Sequence, residues 1–132
     1  MQVLHPKHWA AAKGFSNGVA ADGRQVFVAG QVGWNAEQEF ASDDFVAQVE
    51  QALRNIVEVL AEAGAGPEHV VRLTWYVTDR DEYLAAQKEV GAAYREIMGR
   101  HFPAMAVVAV AGLIEADAKV EIEATAVVPD EA

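Results

Sequence analysis

The chain has 132 residues, of which 10 are Lys or Arg and 20 are Asp or Glu, giving a formal net charge of −10. That length suits one domain spanning 1–132, at roughly 100–200 residues per domain, and a hydrophobic share of 52% excludes intrinsic disorder. The acidic balance excludes the cationic surface that nucleic-acid binding requires and disfavours contact with anionic membranes.

The first strong local signal lies between residues 15 and 31. Ala21-Asp22-Gly23-Arg24 separates two β-prone stretches, and Asp-Gly supplies the positive φ of a tight turn. This predicts an antiparallel hairpin of strands 16–20 and 25–30, followed by a loop over 31–41 that carries Trp34 and Asn35. Phe45, Val49, Leu53, Ile56 and Leu60 recur every three or four positions, which predicts a helix over 43–63. Asp43 and Asp44 suit the positive end of its dipole, and Gly64 with Gly66-Pro67 ends it. A strand over 69–78 follows. Asp79 and Glu82 then have the spacing of a capping box and open a helix over 80–98 that stops at Gly99. Strands over 104–111 and 119–128 close the pattern, the second alternating Val120 and Ile122 against Glu121 and Glu123. The order ββ-α-β-α-ββ predicts an α+β two-layer sandwich, a mixed sheet with two helices on one face. The 104–111 strand is nearly all apolar and calls for burial on both faces, while the helices can cover only one. A second copy of the chain is the expected cover.

The chain has no cysteine, which removes disulfides, thiolate nucleophiles and thiolate metal sites. P-loop, GxGxxG, HExxH and GxSxG patterns are also missing, so most nucleotide and triad chemistries go with them. Met1 to His8 hold no apolar leader segment, and the uncharged stretch 102–114 falls short of the ~20 residues of a spanning helix. A cytoplasmic location is therefore expected. His5 and His8 lack a nearby carboxylate that would complete a metal shell, and no metal or cofactor is expected. His101, at a helix-to-strand junction, is expected to be structural.

Glu121 and Glu123 are the sharper candidates, because residues two apart on a strand share a face. A half-buried carboxylate has a raised pKa and can act as general base or acid, whereas on a wet face the pair is only solvated. Trp9, Trp34 and Trp75 could wall a pocket or simply pack. Trp34, in a loop after a strand, is the best placed of the three to meet a ligand. Arg72 and Arg24 are candidates for gripping a substrate carboxylate.

Several segments occur together in one order: Ala29-Gly30-Gln31, the helix from Gln48 to Ile56, Gly64-Ala65-Gly66, Val70 to Thr74, Phe102-Pro103-Ala104, and Lys119 to Ala124. From about residue 12 to 128 the chain resembles the RidA/YjgF family of imine/enamine deaminases, also called the L-PSP endoribonuclease family. The resemblance implies a chorismate-mutase-like fold, a homotrimer, and small-molecule pockets at the protomer interfaces. It also implies pocket positions at Phe15, Ala29, Gly30, Gln87, Met105 and Val107, with Glu121 matching the glutamate that positions or activates water; Trp34 joins these candidates from its own place in the loop after a strand. Met105 stands where deaminating members carry the arginine that grips the substrate carboxylate. Phe15 replaces a tyrosine, Ala29 a serine, Val107 a cysteine and Gln87 an asparagine. The expectation is a pocket more apolar than usual, hydrolysing an imine or enamine with weak or absent activity on 2-iminopropanoate. The alternative is a non-catalytic trimeric binder of a small apolar metabolite. The ribonuclease of the older family name is opposed by the net charge, since no basic stripe interleaved with aromatics is present.

Overall fold

Residues 1–130 are described by a computed structural model of the chain. They form strands β1 (Gln2–Leu4), β2 (Gly18–Ala20), β3 (Arg24–Val32), β4 (Val70–Val77), β5 (Ala104–Ala109) and β6 (Val120–Val128). The helices are α1 (Phe45–Glu62), α2 (Arg80–Ala85) and α3 (Gln87–Met98). The main sheet runs β3-β6-β4-β5, with β4 and β5 parallel and the other pairs antiparallel. The fold is the α+β sandwich expected, a mixed sheet carrying its helices on one face.

Alternation along the strands decides which face the helices cover. Leu73, Trp75 and Val77 of β4 and Val120 and Ile122 of β6 are buried. They meet the α1 stripe of Phe45, Val49, Leu53, Ile56 and Leu60. Each such side chain removed from water contributes about 1.5–3 kcal/mol, and this stripe is what holds the two layers together. Asp44 starts α1 by accepting the Ala47 N–H at 3.0 Å. One turn further, Gln48 is only 1% exposed and fully paired. Its amide donates to the carbonyls of Ser42 (3.1 Å) and Asp117 (3.0 Å) and accepts from the Lys119 N–H (2.8 Å). Among the described residues no helix is long and apolar enough to cross a membrane.

Two local expectations are corrected. The hairpin of 16–20 with 25–30 does not form: β2 pairs with β1 in a separate two-stranded sheet, Gln2 opposite Ala20 and Leu4 opposite Gly18. Gly23 serves a close approach instead, since a Cβ there would run into the Val128 carbonyl at the end of β6. The predicted helix 80–98 is two helices, because Ala86 (φ −104°, ψ 10°) tightens the chain with an Ala86 N–H to Tyr83 carbonyl bond of 3.1 Å. As expected of a single chain, β5 is an edge strand with its helix-side face covered and Ala106 and Val108 exposed on the other.

Candidate functional site

The segment before β2 is tied to the start of β5. The Ser16 N–H donates to the Pro103 carbonyl at 3.0 Å, and its hydroxyl donates to the Phe102 carbonyl. This staple hangs Phe15 over the gap between β5 and the α2–α3 pair. Met105 and Val107 lie opposite Leu73 and Trp75 in the parallel β4–β5 ladder, so they share the helix-side face. Gln87 opens α3 on the far wall. The outcome is a cleft of about 510 Å³ that gathers Phe15, Gln87, Met105 and Val107, within the roughly 300–1,000 Å³ usual for small-molecule sites.

Aromatic residues build the rest of the wall: Trp75, Tyr83, Tyr94 and Phe102 all line it. Tyr94 stacks on Phe102 with ring centroids 5.6 Å apart and donates to the His101 carbonyl at 2.6 Å. Burial pushes its phenol well above the ordinary tyrosine range. Trp75 is 2% exposed, and its indole N–H has no acceptor among the described residues, a deficit of about 1–3 kcal/mol. Trp75 is thus both core and wall, the two roles its sequence position left open. Lys13 and Arg95 stand at the mouth. Sequence reasoning missed these two, although Gln87, Gly91 and Arg95 repeat every fourth position along one helix face.

The other predicted site residues lie elsewhere. Gly30 sits in the irregularity of β3 between Val28 and Gln31, beside Glu121 on β6. A Cβ built on Gly30 would lie 2.6 Å from a Glu121 carboxylate oxygen, so the missing side chain seats that carboxylate. Glu121 points to the face away from the helices, as do Tyr76, Arg72, Thr74 and Glu123. Tyr76 donates to Glu123 at 2.8 Å, and this bond, with the negative charges of Glu123 and Glu121, raises its pKa. Ala29 lines a hollow of about 670 Å³ on the same face with Arg72 and Glu123. Trp34 is apart from both groups. It packs against Phe40 at 5.8 Å, has its carbonyl held by Asn55, and borders a hollow of about 340 Å³.

The remaining candidates are accounted for by local contacts. The Arg24 guanidinium donates to the Ala63 carbonyl at 2.7 Å and so closes the end of α1. His69 accepts the Gly66 N–H at 3.0 Å, and His101 Nε2 meets the Val70 carbonyl at 2.6 Å. His5 contacts the Trp9 carbonyl and Asn17. The described residues contain no cluster of three or more His, Cys, Asp or Glu able to hold a metal. A further concavity of about 850 Å³ opens between 40–43 and 112–119, is edged by Asp43, Glu115 and Asp117, and contains none of the predicted site residues.

These features define a class of two-layer α+β sandwiches with an aromatic cleft at the edge of the sheet and a seated carboxylate on its other face. Within that class the chain belongs to the Endoribonuclease L-PSP family, whose model matches residues 6–128. It is 37% identical over 119 residues to Protein DfrA of Myxococcus xanthus, covering 86% of this chain and 84% of that one. It is 34% identical over 119 residues to the 2-iminobutanoate/2-iminopropanoate deaminase of Capra hircus, covering 89% and 82%. Among solved structures, a protein of unknown function of the conserved Rid family from Yersinia pestis superposes with a TM-score of 0.86 at 36% identity, over 96% of this chain and 98% of that one.

Proposed function

We propose that the protein is a homotrimer whose interprotomer pockets take a small metabolite and hydrolyse an imine or enamine, with Glu121 steering the water. The observation that carries this is the division of the site. Phe15, Gln87, Met105 and Val107 line a cleft on the helix side of the sheet, while Gly30 and Glu121 meet on its opposite face. A pocket that uses both groups has to be assembled from two chains. A relative named 2-iminobutanoate/2-iminopropanoate deaminase supports the reaction class.

The cleft also sets the limits of that activity. The resemblance puts the family's carboxylate-gripping arginine at Met105, and a thioether offers no donor. A charged two-donor contact is worth about 1.5–3 kcal/mol, or roughly ten- to a hundredfold in rate. Natural turnover of 2-iminopropanoate should fall short of arginine-bearing relatives by at least that factor.

The test is ammonia release from freshly generated 2-iminopropanoate by wild type, Met105→Arg and Glu121→Ala. Weak wild-type turnover, partial recovery in Met105→Arg and loss in Glu121→Ala are expected. Recovery is only partial because a new charge beside Phe15 and Val107 would have no supporting hydrogen bonds. Wild-type turnover equal to the arginine-bearing enzymes, or turnover indifferent to Glu121, overturns the reading. A second reading, a non-catalytic binder, is favoured by the apolar and aromatic wall of the cleft. It predicts ligand binding with no ammonia release by any of the three proteins.

A further inference from the structure

We propose that the cleft between β5 and the α2–α3 pair selects a carboxylate carried on an aromatic or branched apolar body. The carboxylate sits at the mouth on Arg95 and Lys13, and the body points inward against Met105, Val107 and Phe102. This rests on the cleft being the ligand-binding half of the site, and it reverses the direction in which an arginine at position 105 would hold the ligand.

The argument begins with charge. The chain carries 20 acidic residues and a net charge of −10, yet no Asp or Glu lines this cleft, whereas Lys13 and Arg95 do. Neither cation has a carboxylate within ion-pair distance among the described residues. The sequence explains why. The helix neighbours of Arg95 at three and four positions are Gly91, Ala92, Met98 and Gly99, and residues 9–17 around Lys13 contain no acid. In so acidic a protein, two free cations at one mouth attract an anion that no internal group competes for.

Geometry directs the ligand. The Arg95 guanidinium crosses over Gly91, where a Cβ would come within 3.2 Å of Nη1, so it lies against the cleft wall rather than trailing from the helix. Deeper in, Met105 and Val107 offer no donor and the unpaired Trp75 N–H offers only one, too few to offset the burial of a carboxylate. The apolar end therefore goes in and the charged end stays at the rim. Planar forked donors on Arg95 suit a carboxylate at that point.

The experiment is calorimetric titration of the full chain in its native assembly with phenylacetate and with phenylacetamide, which has the same shape but no charge. Phenylacetate should bind roughly ten- to a hundredfold more tightly than the amide. Arg95→Gln should bring phenylacetate down to the amide's affinity and leave the amide unchanged, while Arg54→Gln, at a surface cation paired with Glu96, should change neither. Arg95 is exposed, so its replacement spares the core, and an unchanged thermal midpoint verifies this. Equal binding of the two probes, indifference of phenylacetate to Arg95→Gln, or binding of neither probe overturns the proposal. If the probes fail while 2-iminopropanoate is still hydrolysed in a Glu121-dependent way, only this ligand assignment falls. If phenylacetate binds through Arg95 and no imine is hydrolysed, the assignment stands and the hydrolase reading falls.

Discussion

Tyr94 shows how one side chain serves packing and the cleft together. Its ring stacks on Phe102, its hydroxyl holds the His101 carbonyl, and burial raises its pKa above the ordinary value of 10.0. Because the folded-state pKa is the higher one, the contribution is whole below pH 10 and is lost as pH climbs from there towards the folded value. Urea unfolding across the alkaline range should show stability falling above pH 10, and Tyr94→Phe should flatten that fall. At neutral pH the same variant should cost about 1 kcal/mol, the loss of one buried hydrogen bond. Residue by residue, the site was legible where position in a strand settles orientation. Glu121 was placed on a shared face with Glu123 by alternation, whereas Met105 and Val107 came from the family resemblance and not from spacing. Trp34 was not, because its place depends on Phe40 and Asn55, which loop chemistry does not announce. Arg95 was missed because an unpaired surface cation looks ordinary until the wall it crosses is known.

At the level of elements, the long-period signals were the dependable ones. The apolar stripe and acidic cap of α1 are both present, with boundaries shifted by one or two residues. The break at Ala86 was not legible, since no Gly or Pro falls between 84 and 88 and the stripe continues through it. The hairpin at Asp22-Gly23 failed for a different reason: a tight-turn signal cannot report that β1 competes for β2. Gln48 joins the elements that sequence treats separately, binding α1 to the Ser42 and Asp117 carbonyls and to the Lys119 N–H. Gln48→Leu should strand all three backbone groups and lower stability by about 3 kcal/mol. Chemical denaturation with an unchanged m-value is the measurement, and a loss under 1 kcal/mol would mean that water replaces the amide.

For the molecule as a whole, the open face of the sheet is the unfinished surface. Phe27 is 71% exposed and Val108 43% exposed, and the polar cluster of Arg72, Tyr76 and Glu123 lies between their strands. Sedimentation at micromolar concentration should report a trimer, and Phe27→Asp should shift it to monomer by placing a charge on the contact. A stable wild-type monomer would remove the assembly from the proposed function.

The strand order of the main sheet has a kinetic consequence. Residues 120–128 lie between β3 and β4, so the latest strand in the described chain order occupies the middle of the sheet. Until β6 inserts, β3 and β4 have no shared partner, and the α1 stripe has only half a surface to rest on. A chain in which β6 has not yet paired leaves two unpaired edges, one on β3 and one on β4. Closing the β3 edge joins Arg24 to Val128, a loop spanning most of the chain, whose entropy is lost before its contacts form. Pairings of such wide sequence separation predict slow refolding, and any interval in which those edges stay open exposes the chain to mispairing with its own copies.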